Sequence, residues 1–194
     1  MSHDPDFTHS KSDAGQRQLQ HEHGLGAQIL SDLGLHTIRL LTNHPRRIVA
    51  LVKVERNRIV DRVSSLIRPP RREFVFTYIH GITWDMVRDA PAFDQLWPEL
   101  DRWMRGVRFL AAHNASFDRG VLEACCRSSG LTPPGIPFEC TVRMARAVFG
   151  IYPTRLDCVC RALGIPLVHH RAESDAEACA RIVLAARERA GAAG

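Results

Sequence analysis

Two acidic segments hold the residues best placed for chemistry. In His113-Asn114-Ala115-Ser116-Phe117-Asp118 a carboxylate follows a short apolar run, 107–112, where a strand is expected to give way to a helix. An Asp at such a junction points into the crevice at the sheet edge, with Phe117 packing beside it. The second segment, His170-Arg171-Ala172-Glu173-Ser174-Asp175-Ala176, sets a His five residues ahead of an Asp at the start of the last amphipathic helix. Both also have a purely structural reading. Asn114 or Ser116 caps the helix after the first segment, and Asp118 favours its N-terminal dipole. In the second, Ser174 caps, Asp175 and Glu177 occupy the first turn, and His170 is a loop residue.

The elements that must position these residues follow from periodicity. Residues 1–15 are polar and without periodicity, which predicts a disordered tail. Leu25, Ile29 and Leu33 recur every four residues, so 24–33 reads as a helix with Gly34 as its stop. His36–Leu41 reads as a strand ended by the turn Thr42-Asn43-His44-Pro45. Two β-rich runs, Arg47–Glu55 and Arg58–Ile67, flank Arg56-Asn57 and predict a hairpin closed by Pro69 and Pro70. Pro91–Met104 is a helix with Phe93, Leu96, Trp97, Leu100, Trp103 and Met104 on one face. Val107–Ala112 is a buried strand and Phe117–Ser129 a helix. A short strand near Phe138–Thr141 precedes helices near Val142–Phe149, Leu156–Leu163 and Ser174–Arg189. Strands followed by alternating helices and strands describe a mixed α/β layer fold with βαβ crossovers.

The chain of 194 residues suits one well-buried domain. Its formal charge of +5 comes almost wholly from arginine, since Lys11 and Lys53 are the only lysines. That balance favours polyanionic partners, weakly. No apolar run reaches the roughly 20 residues of a membrane helix, and the N-terminus has no apolar signal stretch, so a cytoplasmic protein with no membrane association is expected. The 6 cysteines form no CxxC pair and are expected as small buried hydrophobes. Trp84, Trp97 and Trp103 are expected in the core or on helix faces, and Arg68, Arg71 and Arg72 in a solvated basic loop.

Taken together, HNASFD at 113–118 and HRAESD at 170–175 resemble the second and third motifs of the DEDDh 3′→5′ exonucleases, the family of the proofreading epsilon subunit of bacterial DNA polymerase. Tyr78-Ile79-His80-Gly81-Ile82-Thr83 is similar to that family's HGI segment. The resemblance runs over about 52–190. It implies a ribonuclease H-like exonuclease fold, a mixed sheet flanked by helices. It implies Asp118 and Asp175 as metal ligands and His170 as catalytic general base. His80, Gly81, Ile82, Asn114 and Phe117 would form the pocket for the terminal nucleotide. Two divalent cations, Mg²⁺ or Mn²⁺, would be held by clustered carboxylates, and nucleoside monophosphates would leave from single-stranded 3′ ends of DNA or RNA. The same likeness suggests a DNA polymerase subunit as protein partner.

The family also carries an Asp-x-Glu pair on its first strand. Here that strand should be His36–Leu41, which reads HTIRLL and holds no carboxylate. Two aspartates offset two dications incompletely, so weak metal binding and impaired hydrolysis are expected. The replacing stretch has a likeness of its own. HGLGAQIL at 23–30 and LLTNHPRR at 40–47 resemble the C-terminal part of GTP cyclohydrolase II over about 16–51. In that family Thr42 and the position of Arg47, there a lysine, would contact GTP. The expectation is a fusion of a cyclohydrolase-like helix-strand segment, 16–51, to an exonuclease domain, 52–190, whose first strand is substituted by His36–Leu41. Three functions compete: an exonuclease whose metal site is completed by an acid of the N-terminal segment (Asp32, Glu22, Asp4, Asp6 or Asp13), a silent module that binds nucleic-acid ends, and a cyclohydrolase fragment of riboflavin synthesis.

Overall fold

A computed structural model describes residues 48–70, 82–168 and 171–192. The expected tail, the helix at 24–33 and the strand at 36–41 lie outside the described residues.

The hairpin forms as the alternation predicts. Strand β1 (Ile48–Glu55) pairs antiparallel with β2 (Arg58–Leu66), from Ile48 opposite Leu66 to Glu55 opposite Arg58, with one irregularity between Lys53 and Val54. The turn is made by Arg56 and Asn57, both at positive φ (48° and 62°). That is the two-residue geometry whose twist matches the flanking strands.

A four-residue helix, α1 (Trp84–Val87), escaped the sequence reading, being shorter than one apolar repeat. Helix α2 (Phe93–Met104) opens with the Ala92 amide donating to Gln95 Oε1 at 2.8 Å. Its residues Leu96, Leu100 and Met104 recur every four positions and form one buried stripe. Val49 and Leu51 of β1, with Leu110 and Leu122, pack against that stripe.

Strand β3 (Leu110–Ala112) is shorter than the predicted 107–112. Gly106, at φ 74°, takes the chain out of α2, and the Val107 amide still bonds back to the Met104 carbonyl, so the strand starts late. β3 pairs in parallel with β4 (Phe138–Cys140), Leu110 opposite Phe138 and Ala112 opposite Cys140. Helix α3 (Ala115–Ser128) makes the crossover between them. Next come α4 (Thr141–Phe149), α5 (Leu156–Leu163) and α6 (Ala172–Gly191).

Helix α6 is the floor of the domain. It touches β1, β2 and β3 as well as α4 and α5. Its buried side chains include Ala178, Ala180 and Ala186, whose small size lets strands and helices approach closely. Ile182 is fully buried and packs with Ala145 of α4 and Val159 of α5 in a second core cluster. Arg62 of β2 also reaches Glu177 of α6 at 2.9 Å, pinning the hairpin to that floor. Among the described residues the strands form two two-stranded sheets, β1-β2 and β3-β4.

Candidate functional site

The site grows out of the end of β3. Asn114 follows that strand in the left-handed conformation (φ 72°, ψ 54°), which Asn tolerates through its short polar side chain. It is the N-cap of α3, as one of the structural readings expected, although its side chain makes no capping bond. Its carbonyl accepts from the Phe117 amide at 2.9 Å, and its Oδ1 accepts from the Ser116 hydroxyl at 3.3 Å. Asp118 then falls in the first turn of α3, where the helix dipole favours negative charge.

Asn114, Phe117 and Asp118 all open on one large cleft of about 2390 Å³. It is also lined by the whole of β1 and by the α6 positions Ala172 and Ala176. Asp175 lies between those two positions in the first turn of α6, is 7% exposed, and its amide donates to the Arg171 carbonyl at 3.0 Å. The structure thus sets the two predicted aspartates at the heads of two helices that border the same cleft. Ser174 does not cap α6. The helix starts earlier, with Arg171 as N-cap, and the Ser174 hydroxyl instead accepts from the Val168 amide at 2.8 Å. Arg68, Arg108 and Arg146 add positive charge to the cleft lining, Arg155 is paired there with Asp157 at 3.0 Å, and Trp84 and Trp103 add aromatic surface. Trp97 packs on the α2 core cluster.

Ile82 is buried just ahead of α1. His80, Gly81 and His170 lie outside the described residues, as do Thr42 and Arg47 of the cyclohydrolase-like stretch. Among the described residues no group of three or more His, Cys, Asp or Glu side chains could hold a metal ion. Asp118 and Asp175 by themselves supply fewer carboxylates than two dications need.

One residue of the first motif has a role that sequence spacing did not reveal. His113 is wedged between α4 and the loop before α5, its Nδ1 2.8 Å from Thr141 Oγ1 and its Nε2 2.8 Å from the Thr154 carbonyl. A carbonyl only accepts, so Nε2 carries the proton and Nδ1 accepts from the fully buried Thr141 hydroxyl. Those partners lie 28 and 41 residues away, beyond any local signal. Burial pushes the His113 pKa below its ordinary value, against a smaller upward pull from the Thr154 bond. The unfolded chain therefore binds the proton more readily than the folded one. The resulting stability is present above the unfolded pKa, about 6.5, and is lost as pH falls through the folded value. Urea midpoints should fall from pH 7.5 to pH 5, and His113→Gln should flatten that slope. An unchanged slope in the variant would remove His113 as its source.

Cys140, at the end of β4, sits where two helices begin. Burial raises its pKa, yet the backbone amides of Arg143, Ala115, Val142 and Asn114 together outweigh burial and leave the thiol more acidic than usual. Burial instead holds Cys125, Cys126 and Cys160 up at about 11. A limiting amount of iodoacetamide at pH 8 should label Cys140 before those three, because the thiolate is the nucleophile. Peptide mapping showing equal labelling would refute this assignment.

The exonuclease family model matches residues 37–183. The chain belongs to the exonuclease family. Residues 3–64 also match the GTP cyclohydrolase II model, so the two matches overlap over 37–64. The PolC-type DNA polymerase III of Bacillus cereus is 36% identical over 139 residues, covering 70% of this chain and 10% of that protein. The PolC-type enzyme of Oceanobacillus iheyensis is 38% identical over 133 residues, covering 67% of this chain and 9% of that protein. The chain thus spans about a tenth of these relatives. Among solved structures, exonuclease X in complex with 5′-overhanging duplex DNA superposes with a TM-score of 0.61 at 26% identity, over 75% of this chain and 84% of that one. The nuclease domain of 3′hExo, a DEDDh family member bound to rAMP, gives 0.60 at 20% identity over 68% and 74%. The described α/β architecture is therefore that of the ribonuclease H-like exonucleases. No helix among the described residues is long and apolar enough to cross a membrane.

Proposed function

We propose that this exonuclease domain binds the 3′ ends of single-stranded DNA and hydrolyses them slowly. The observation that carries the reading is the motif geometry: Asn114, Phe117 and Asp118 opening on an arginine-lined cleft whose other border is the helix of Asp175. A phosphodiester backbone suits the cationic lining, and a terminal base suits the aromatic edge of Phe117. Asp118 and Asp175 are the proposed cation ligands and His170 the proposed proton acceptor for attacking water. His80, Gly81 and Ile82 are the proposed wall around the last nucleotide. DNA is favoured by the solved complex of exonuclease X with duplex DNA and by the PolC-type polymerases, a context that also makes a DNA polymerase the proposed partner. Slow hydrolysis follows from the carboxylate deficit.

The test is a single-stranded oligonucleotide labelled at its 5′ end, incubated with the full chain and Mn²⁺ and followed both by stepwise shortening and by fluorescence anisotropy. Binding should require a free 3′ end, and slow mononucleotide release should vanish in both Asp118→Ala and Asp175→Ala. Binding that ignores a blocked 3′ end, or release untouched by either substitution, would overturn the assignment.

A further inference from the structure

The loop between α4 and α5 holds an aromatic ring that neither core cluster uses. Tyr152 is 71% exposed, more than Val60, Met86 or Val168, the other exposed large apolar side chains among the described residues. The ring is nevertheless held. The Arg146 guanidinium lies over it, 5.5 Å from the centroid, and Nη2 of the same side chain donates to Thr154 Oγ1 at 3.1 Å. A cation over one face fixes the ring's orientation and leaves most of its surface bare.

The charge beside the ring is not balanced locally. Asp157, at the head of α5, pairs with Arg155 at 3.0 Å and lies 3.9 Å from Arg161. Arg146 makes its contacts with Thr154 and Tyr152, neither of them an anion. Arg143, three residues back on α4 and so on the same helix face, is exposed as well. The loop is also tied to the first motif. The Thr154 carbonyl accepts from His113 Nε2 at 2.8 Å, and His113 directly precedes Asn114. Only two residues of chain, at most about 7 Å, separate Thr154 from Tyr152. Arg146, Pro153 and Thr154 line the cleft on which Asn114 and Phe117 open, so the ring stands at that cleft's border.

We propose that Tyr152, backed by Arg146, is a stacking platform for a base upstream of the 3′ end. A strand whose last nucleotide lies beside Asn114 and Phe117 must leave the cleft with its phosphates and bases accommodated. Arg143 and Arg146 suit the phosphates, and the bare ring suits any base, since every base has a π-face. The unbalanced cations favour a polyanion over a protein surface. A ring already oriented by Arg146 loses little freedom on stacking. The proposal rests on the end-binding reading and deepens it, adding a contact that grips the strand rather than its end.

Anisotropy of 5′-fluorescein oligothymidylates with the full chain tests it, comparing a trinucleotide with a strand of about 12 nucleotides. Tyr152→Ala should weaken binding of the longer strand on the order of tenfold, the usual effect of losing one base–aromatic stack, and leave the trinucleotide unchanged. Tyr152→Phe should bind both as the unaltered chain does, because the ring and not the hydroxyl makes the contact. Unchanged binding of the longer strand by Tyr152→Ala, with a blocked 3′ end still preventing binding, overturns the platform and leaves the end-binding reading standing. Equal weakening on both lengths overturns it as well, as does a Phe variant no better than Ala. Binding by the unaltered chain that ignores a blocked 3′ end overturns the end-binding reading, and the platform with it.

Discussion

Arg39→Asp combined with Leu41→Glu should raise mononucleotide release at least on the order of 100-fold in Mn²⁺. Residues two apart on a strand share a face, so the pair would reproduce the spacing of the family's Asp-x-Glu motif if the segment ahead of β1 forms the expected strand. Completed cation binding stabilises a phosphoryl transition state by several kcal/mol, and each 1.36 kcal/mol is about tenfold in rate. The gain should disappear when Asp118→Ala is added. Ile38→Asp with Leu40→Glu is the register control, because a shift of one residue turns both carboxylates to the opposite face. Equal rates for the two grafts would show that the segment has no fixed register. No gain from either, with end binding retained, would place the deficit elsewhere than in the missing acids.

Replacing Ile182 by Ala should cost about 2–5 kcal/mol, the range for truncating a large buried aliphatic side chain. The residue is fully buried between Ala145 and Val159. Its neighbours sit on two other helices, so the cavity can close only if α4 or α5 moves. The same helix also carries β1, β2 and β3, which spreads any displacement through both sheets. Ile182→Val should cost only about 0.5–1.5 kcal/mol. Urea midpoints with unchanged m-values would establish the difference as one of stability. Equal losses for the two variants would mean that α6 is not held by this contact.

The sequence was most legible where apolar spacing was regular. Leu96, Leu100 and Met104 announced α2, and the alternation around Arg56-Asn57 announced the hairpin with its turn. Asp118 and Asp175 fall in the first turns of α3 and α6, as the pattern around each predicted. Boundaries set by long-range bonds were not legible. Arg171 rather than Ser174 heads α6 because the Ser174 hydroxyl is engaged by the Val168 amide, a contact that no pattern within the helix signals. The shortening of β3 came from the exit of α2 at Gly106. His113 stood in plain view at the head of its motif, but its purpose depends on Thr141 and Thr154, which only folding brings near.

The alanine-rich last helix has a consequence for how such a domain can change. Each half of the β layer is anchored separately to α6, the hairpin through β1 and Arg62 and the parallel pair through β3. Loosening one half therefore need not lift the other from the helix, and substitutions in the hairpin and in the parallel pair can accumulate without reference to each other.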